Sequence, residues 1–287
     1  MKKLFTKQLF VEPNFLSPDI CQRWEEKIWS NLEIFGPDVE PAYGQMAAFY
    51  GMLEAGLNES YYRFAEQHNR FLVKNFPEVR SVIARAGSMI LEKSGLPPNA
   101  LPIVPRDRKY FLMAGFNLQL QDWMIYNVHT DTEGLLLYPA SIFDTNTRAY
   151  SCVVSIKRSA QHTNNRGGEL DIWTERYLAD ELELFYKADR IHPRSLKSRK
   201  KIDYSPGTMI LFDSFMPHVV RPFKVRKKKD RRITLVIHFC YRKHTQRNPF
   251  AHLEYWYSVG ELQGVLTGGI TGCLYNHADL EIDQDMT

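Results

Sequence analysis

The run NVHTDTEG places His129 and Asp131 two positions apart. They end a strand-like stretch, and because side chains alternate between the two faces of a strand, both lie on one face and make a chelating pair. A third ligand must come from a distant strand, and PGTMILFDSFMPHVV supplies His218 after a turn at Pro206 and Gly207. Two imidazoles and one carboxylate form a facial triad that suits Fe(II) and leaves the opposite metal positions open.

An enzyme that combines such a triad with a dicarboxylate cosubstrate, such as 2-oxoglutarate, also needs a cation to bind the far carboxylate of that cosubstrate. An arginine suits this role because its guanidinium forms two parallel hydrogen bonds with a carboxylate. In the strand-like run RRITLVIHF, alternation places Arg232 and Thr234 on one face and Arg231 on the other. We therefore predict that Arg232, rather than Arg231, binds the carboxylate, with the Thr234 hydroxyl beside it.

Short strands must position these residues. From about Lys109 the sequence consists of short alternating or β-branched runs. The predicted strands are YFLMAGFNLQLQ, WMIYNVH, AYSCVVSI, GELDIW, TMILFD, HVVRPF and RITLVIHF. Many short strands with few helices between them favour a sandwich or barrel, for which a jelly roll is the usual closed form.

The part of the chain before these strands has the pattern of helices. Ser17 fits an N-cap and Pro18 fits the first helical position. Two further helical patterns follow, the second stopped by Gly95 and a pair of prolines. The predicted helices span about 18–32, 59–75 and 78–93. We expect them to pack on the sheet and give an α+β fold.

Length and composition indicate one structural domain. The chain has 287 residues, of which 44% are hydrophobic, so it can bury one substantial core and is not disordered. Three regions are predicted within this domain, namely a helical region 1–104 packed on the core, a core 105–242 and a C-terminal extension 243–287. The core contains an insertion, 174–203, with a short helical pattern followed by a basic loop.

Cysteine spacing and hydropathy point to a cytoplasmic protein. The four cysteines lie far apart, without the spacing of a zinc or redox motif, and are read as reduced thiols. They are Cys21, Cys152, Cys240 and Cys273. Lys7 and Pro13 interrupt the apolar start of the chain before it reaches the length of a signal peptide, and no window approaches a membrane span.

The formal net charge is +4, and a basic run, KVRKKKDRR, lies just before the last predicted strand. Such a run could contact nucleic-acid phosphates. A solvated hairpin tip between two strands is the preferred interpretation, because an acidic C-terminal tail balances its charge.

Four elements in order, HTD, GGEL at 167–170, PGTMILFDSFMPH and the arginine-bearing strand, resemble the Fe(II)/2-oxoglutarate dioxygenase superfamily, in particular its prolyl-hydroxylase-like branch. The resemblance covers about 105–242. It implies a double-stranded β-helix core, a cupin-like jelly roll. It also implies that His129, Asp131 and His218 bind iron, and that Arg232 and Thr234 bind the distal carboxylate of 2-oxoglutarate.

The same resemblance bears on several other polar residues. Gln119 and Ser155 stand where relatives place polar contacts to the cosubstrate, although prolyl hydroxylases commonly have tyrosine there. Arg166, in the loop before GGEL, stands near the substrate mouth of relatives, where it would anchor a substrate carboxylate or lie in a solvated loop. Asp213 is expected to fix the turn that follows it, and His238 to be a satisfied core histidine.

The resemblance implies an enzyme that hydroxylates an unactivated C–H bond with Fe(II), O2 and 2-oxoglutarate, which is decarboxylated to succinate and CO2. The sequence shows no attached recognition domain, so we expect a small-molecule substrate, an amino acid or a natural-product intermediate. The alternatives are a protein hydroxylase acting on prolyl or other residues and a catalytically idle jelly-roll binding module. Asp131 disfavours a halogenase, because halogenating relatives lack this carboxylate. Desaturation, cyclisation and epimerisation use the same ligands and stay open.

Overall fold

The computed structural model describes residues 9–31, 58–93, 101–103, 114–119, 128–131, 147–158, 168–174, 198–202, 205–221, 223, 231–242 and 252–255. The helices within these residues are α1 (Pro18–Ser30), α2 (Asn58–Asn75) and α3 (Val79–Lys93). The strands are β1 (Leu9–Glu12), β2 (Leu101–Ile103), β3 (Gly115–Gln119), β4 (Thr147–Lys157), β5 (Leu170–Trp173), β6 (Arg199–Ile202), β7 (Met209–Asp213), β8 (His218–Val220), β9 (Arg232–Arg242) and β10 (His252–Tyr255).

The three predicted helices are confirmed to within two residues at each end. The N-cap of α1 is also confirmed, since the Ser17 hydroxyl accepts a hydrogen bond from the backbone N–H of Ile20 at 3.3 Å and Pro18 opens the helix. A helix begins here because the serine satisfies one of the N–H groups that lack an intrahelical acceptor.

The larger sheet has seven strands in the order β1-β7-β4-β9-β10-β2, with β3 also paired to β9. Strand β9 pairs with β4 along most of its length, with β3 near its start and with β10 near its end. All pairs in this sheet are antiparallel except β2 with β10. The long strands β4 and β9 therefore form its centre.

Four short strands were not predicted. Strands β1 and β2 belong to the larger sheet, so the region 1–104 is not purely helical, and β10 pairs part of the C-terminal extension with β9. The prediction of a basic loop at the end of the insertion is wrong for Arg199–Ile202. These residues form strand β6, which pairs with β5. Three of its four residues are basic and exposed, a composition that protects a sheet edge and hides the strand pattern.

The larger sheet has one apolar face and one mixed face. The apolar face packs against the helices in a cluster that includes Trp24, Phe76, Phe116, Leu235 and Phe239. Trp24, Phe76 and Phe116 meet at ring-centroid distances of 4.9–5.8 Å, in tilted or edge-to-face geometry. The helices thus cover this face, and the opposite face is left for the second sheet and the candidate site.

The smaller sheet has the order β6-β5-β8. A second apolar cluster joins it to the mixed face of the larger sheet, with Leu170 and Ile172 from β5 meeting Ile210 and Phe212 from β7. An isolated antiparallel bridge between His129 and β8 extends the smaller sheet by one short segment. Two packed, largely antiparallel sheets with helices outside give the α+β architecture.

The predicted turn at Pro206 and Gly207 is confirmed, and it connects the start of α1 to the sheet. Gly207 has φ +86°, and its carbonyl accepts a hydrogen bond from the N–H of Leu16 at 3.0 Å. A Cβ at this position would come within 2.4 Å of the Leu16 carbonyl oxygen, so both the conformation and the space require glycine.

None of the described helices is long and apolar enough to cross a membrane. The cysteines Cys21 and Cys152 are buried free thiols, and burial raises the pKa of both, that of Cys21 to about 11. Most of the predicted strand WMIYNVH, the helical pattern of the insertion, the basic run 224–230 and Arg166 lie outside the described residues.

Candidate metal centre

Two histidines are placed side by side by a backbone bridge at the edge of the smaller sheet. The N–H of His129 donates to the carbonyl of His218 at 3.0 Å, and the N–H of His218 donates to the carbonyl of His129 at 2.8 Å. Directly opposed antiparallel residues project their side chains to the same face. The bridge therefore brings two candidate ligands together from positions 89 apart in the chain.

A turn between β7 and β8, residues 213–217, places the third candidate. The carbonyl of Ser214 accepts a hydrogen bond from the N–H of Asp131 at 3.0 Å. A carboxylate oxygen of Asp213 accepts from the N–H of Phe215 at 2.9 Å, and the Asp213 carbonyl accepts from Met216 at 2.9 Å. Asp213 thus fixes this turn, as the sequence predicted.

The three side chains converge closely enough to hold one ion. Asp131 Oδ1 lies 3.3 Å from His218 Nε2 and 3.9 Å from His129 Nε2. All three candidate ligand atoms lie within 4.8 Å of one another. Two ligands that each lie about 2 Å from one ion are at most about 4 Å apart, so only a small adjustment is needed.

A hydrogen bond fixes the orientation of the His218 imidazole. Its Nδ1 donates to the carbonyl of Met216 at 3.0 Å, so Nε2, which lies 3.3 Å from Asp131 Oδ1, is the nitrogen left to bind a metal. The ring also packs edge-to-face on Phe212, at a centroid distance of 4.8 Å. The His218 side chain is 7% exposed and that of His129 is 42% exposed, so the site opens on the His129 side.

The electrostatics of the site favour an ionised carboxylate. Burial acts to raise the pKa of Asp131, but His218 above all, with smaller contributions from His238 and His129, outweighs burial and holds this pKa well below its usual range. A carboxylate that stays charged at neutral pH beside imidazole nitrogens is a donor set for a divalent cation.

Arg231 lies just before β9 and Arg232 begins it, and the two side chains point to opposite sides, as alternation predicts. The guanidinium of Arg231 lies 5.2 Å from the ring centroid of Trp29. Arg232 is 3% exposed, and burial lowers its pKa to about 9. Thr234 follows on the same face as Arg232 and is also buried. A buried guanidinium carries a large desolvation cost, which a carboxylate bound beside it would offset.

Three buried side-chain oxygens around Thr234 have no hydrogen-bond partner among the described residues, namely Asn117 Oδ1, Ser155 Oγ and Thr234 Oγ1. Thr234 pairs with Asn117 on one side and with Ser155 on the other, so the three share one face. Such atoms are rare in folded proteins, and a bound polar ligand or water would satisfy them. Gln119 lies opposite Arg232 in the same register.

Asn117 was not found by sequence reasoning. A polar residue between Phe116 and Leu118 looks like the solvent side of a strand, yet this side faces the protein interior. His238 lies on the same face, where its Nδ1 is 3.3 Å from the Ser151 hydroxyl. Burial lowers the pKa of His238, and the charge of Asp131 opposes that shift. His238 has the hydrogen bond expected of a core histidine, but it belongs to the surroundings of the candidate metal centre.

No protein-family model matches the sequence, and no curated protein matches it. Among solved structures, the chain is similar to an N-substituted L-amino acid dioxygenase from Burkholderia ambifaria, at 15% identity over 86% of each chain with a TM-score of 0.50. It is also similar to a Pseudomonas putida prolyl-4-hydroxylase, at 15% identity over 84% of this chain and 96% of that one, with a TM-score of 0.39. A third similar structure is SnoK, an alpha-ketoglutarate-dependent carbocyclase of nogalamycin biosynthesis. It is 10% identical over 85% of this chain and 83% of that one, with a TM-score of 0.46.

At these identities the similarity concerns the fold, and the amino acid dioxygenase carries that conclusion. The chain therefore shares the fold of this dioxygenase, which agrees with the resemblance that the sequence predicts.

Proposed function

We propose that this chain is an Fe(II)/2-oxoglutarate-dependent dioxygenase that hydroxylates an unactivated C–H bond of a small molecule. The observation that carries the proposal is the convergence of His129, Asp131 and His218, within 4.8 Å of one another, where the smaller sheet meets the larger one. Two imidazoles and one carboxylate are the ligand set of this class of non-haem iron enzyme.

His129, Asp131 and His218 would hold the iron. When bound, iron and 2-oxoglutarate supply the oxidising chemistry, in which O2 is consumed and the cosubstrate is converted to succinate and CO2. The protein's own residues position the ligands and exclude water. Phe212 shields His218, and the Met216 carbonyl keeps the proton on Nδ1.

Arg232 and Thr234 would bind the distal carboxylate of 2-oxoglutarate. Ser155, Gln119 and Asn117 would complete this end of the pocket, since each shares the register of Arg232 or Thr234. Thr234 and His238 lie four residues apart on one face of β9, about 13 Å along the strand. That length accommodates the cosubstrate together with the side chains that reach toward it from each end.

The double-stranded β-helix is the finer description of the fold that we propose. The two packed sheets and the likeness to the amino acid dioxygenase support it. We also propose one structural domain, made of the regions 1–104, 105–242 and 243–287, because strands from all three belong to the larger sheet. The substrate contacts proposed for Arg166 lie outside the described residues.

An amino acid or a natural-product intermediate is the proposed substrate class, and the solved dioxygenase that acts on N-substituted L-amino acids supports it. The alternative is a protein hydroxylase acting on prolyl or other residues, with the same chemistry. Incubation with small-molecule panels and with a proteome, each read by mass spectrometry for an added oxygen, separates the two. A product in neither, despite succinate formation, would count against both substrate classes.

The first experiment is an anaerobic titration of Fe(II) and 2-oxoglutarate into the apo protein, followed by the visible charge-transfer band of the bound pair. Wild type is expected to show the band, and His218→Ala to lose it. Arg232→Ala is expected to need far more 2-oxoglutarate, whereas Arg231→Ala, the matched control on the opposite face, is expected to behave as wild type. A folded wild type without the band would overturn the proposal and favour an idle binding module.

A further inference from the structure

A chain of hydrogen bonds runs from the larger sheet toward the candidate metal centre. Ser151 on β4 and His238 on β9 are cross-strand partners, and the Ser151 hydroxyl lies 3.3 Å from His238 Nδ1. The same hydroxyl lies 2.8 Å from the hydroxyl of Ser214. Ser151 and Ser214 are at most 1% exposed. A serine hydroxyl donates one hydrogen bond and accepts others, so Ser151 can donate to one of these partners and accept from the other.

These hydrogen bonds end at the 213–217 turn, whose backbone contacts two of the three candidate ligands. The Ser214 carbonyl accepts from the N–H of Asp131 at 3.0 Å, and the Met216 carbonyl accepts from Nδ1 of His218 at 3.0 Å. A displacement of the turn would therefore move the Asp131 backbone and release the His218 ring together. Ser151 holds the Ser214 side chain from the neighbouring strand β4.

A second hydrogen bond holds Ser151 from the β9 side, where His238 Nδ1 lies 3.3 Å from its hydroxyl. Burial lowers the pKa of His238, and the charge of Asp131 opposes that shift. His238 is thus linked to the Asp131 backbone through the hydroxyls of Ser151 and Ser214 and the Ser214 carbonyl. Connected buried polar groups of this kind strengthen one another and specify one arrangement.

An apolar residue at 151 would suffice if packing were the only requirement. Val153 and Ile210 fill the neighbouring positions of this face and pack between the sheets. Two buried hydroxyls and an imidazole carry a desolvation cost that valine or leucine would avoid. Their presence next to the ligand-bearing turn indicates a role in holding that turn.

We infer that Ser151 and His238 are positioning residues, which hold the 213–217 turn so that Asp131 and His218 are directed at one metal ion. The inference rests on the proposed function, because it concerns the same metal centre. It adds two residues from the larger sheet, neither of them a candidate ligand.

The test uses Co(II) as the probe, with affinity measured by competition against a coloured chelator and geometry by the visible d–d spectrum. Ser151→Ala is expected to weaken Co(II) binding about 10-fold or more and to alter the spectrum, since loss of a group that orients a ligand costs about 10–100-fold in metal affinity. The control is Ser205→Ala, which removes another hydroxyl pair, to Thr208 at 3.3 Å, outside the 213–217 turn. It is expected to bind Co(II) as wild type does.

A rescue separates positioning from packing. His238→Phe keeps an aromatic ring without the hydrogen bond and is expected to weaken Co(II) binding, whereas His238→Asn retains a polar atom near the place of Nδ1 and is expected to bind more tightly than His238→Phe. If Ser151→Ala does not fold, Ser214→Ala removes the other hydroxyl of the pair and is read by the same criteria. Unchanged affinity and spectrum in both the serine and the phenylalanine variants would overturn the inference. Absence of Co(II) binding in folded wild type would instead overturn the metal centre itself.

Discussion

The two faces of the larger sheet are built from the same strands with opposite compositions. On β9 the helix-facing residues are Ile233, Leu235, Ile237 and Phe239. The residues of the other face are Arg232, Thr234, Val236 and His238. The first set removes apolar surface from water, which drives folding. The second set buries a guanidinium and a hydroxyl and half-buries an imidazole, all groups whose removal from water carries a cost. One face maintains the structure, and the other carries the polar groups of the candidate site.

This contrast predicts that substitutions on the two faces have separable effects. A change on the helix face is expected to lower the free energy of unfolding and leave ligand binding intact in the molecules that remain folded. A change on the site face is expected to remove binding at little cost in stability, because polar groups held for function are seldom optimal for folding.

The largest effect is expected for Asp131→Ala. It removes the anionic ligand and leaves two neutral imidazoles, so metal binding is expected to fall below detection while the apo protein stays folded. Metal that binds only the folded state raises the thermal midpoint in wild type, and this rise is expected to vanish in the variant. Asp19→Ala, an exposed acidic residue in the first turn of α1, is the control and keeps the rise. A full metal-dependent rise in Asp131→Ala would show that the carboxylate is not a ligand.

The opposite result is expected for Phe116→Ala on the helix face. Phe116 is fully buried between Trp24 and Phe76, and truncating such a ring costs about 3–5 kcal/mol of unfolding free energy. Urea denaturation measures this loss, and the metal-dependent rise of the thermal midpoint is expected to persist. Val11→Ala, at an exposed position of β1, is expected to change stability far less. Loss of metal binding in folded Phe116→Ala would contradict the separation of the two faces.

The sequence predicted the elements that form the helix face because their signals are local. Ser17 and Pro18 mark the start of α1, and long alternating runs mark β4 and β9. The short strands β1, β2, β6 and β10 were missed because none of them stands out as an alternating apolar run, and in β6 the basic residues hide the pattern. Their pairing depends on partners distant in the chain, which no local pattern reveals.

The site face was predicted only where residue types were distinctive. His129, Asp131 and His218 stood out by type and spacing, and the structure brings them together. Asn117 and Ser151 were missed, because a small polar residue in a strand usually marks its solvent side. Only the cross-strand register shows that both face the interior.

Acid is expected to lower the free energy of unfolding through His68, a residue on the helix side of the molecule. This imidazole on α2 is buried, its Nε2 lies 3.2 Å from the Ala114 carbonyl, and burial lowers its pKa from the ordinary value of 6.5 to about 4. The folded state therefore holds it neutral, so its contribution to stability is intact above pH 6.5 and is lost progressively as pH falls toward 4.

The size of this acid effect is a few kcal/mol at most, since each pKa unit corresponds to about 1.4 kcal/mol. His68→Gln keeps a donor for the Ala114 carbonyl but does not titrate. Urea denaturation at pH 7 and pH 4.5 is expected to show a larger loss in wild type than in the variant. Equal losses in the two proteins would mean that His68 does not contribute to acid sensitivity.

On the site face, Arg232→Lys tests geometry rather than charge. Lysine keeps a cation but loses the planar fork that makes two parallel hydrogen bonds with a carboxylate. Loss of one charge-assisted hydrogen bond costs about 1.5 kcal/mol, or roughly 10-fold in the apparent KM for 2-oxoglutarate, with a smaller change in kcat. Arg231→Lys is the control, because its guanidinium lies over Trp29 on the other face. An unchanged KM in Arg232→Lys would place the carboxylate elsewhere.

The smallest effect is expected for Ser17→Ala, which removes the N-cap of α1 and the hydrogen bond to Ile20 N–H. Such a cap contributes about 1 kcal/mol, because one N–H at the helix start loses its acceptor. Urea denaturation is expected to show this loss, whereas Ser81→Ala, an exposed serine of α3 that is not a cap, is expected to change stability less. Metal affinity is expected to stay at the wild-type value, since α1 packs on the apolar face of the sheet. A fall in metal affinity without a fall in stability would mean that changes at α1 reach the site through the sheet, and the two faces would then have to be treated as one coupled structure.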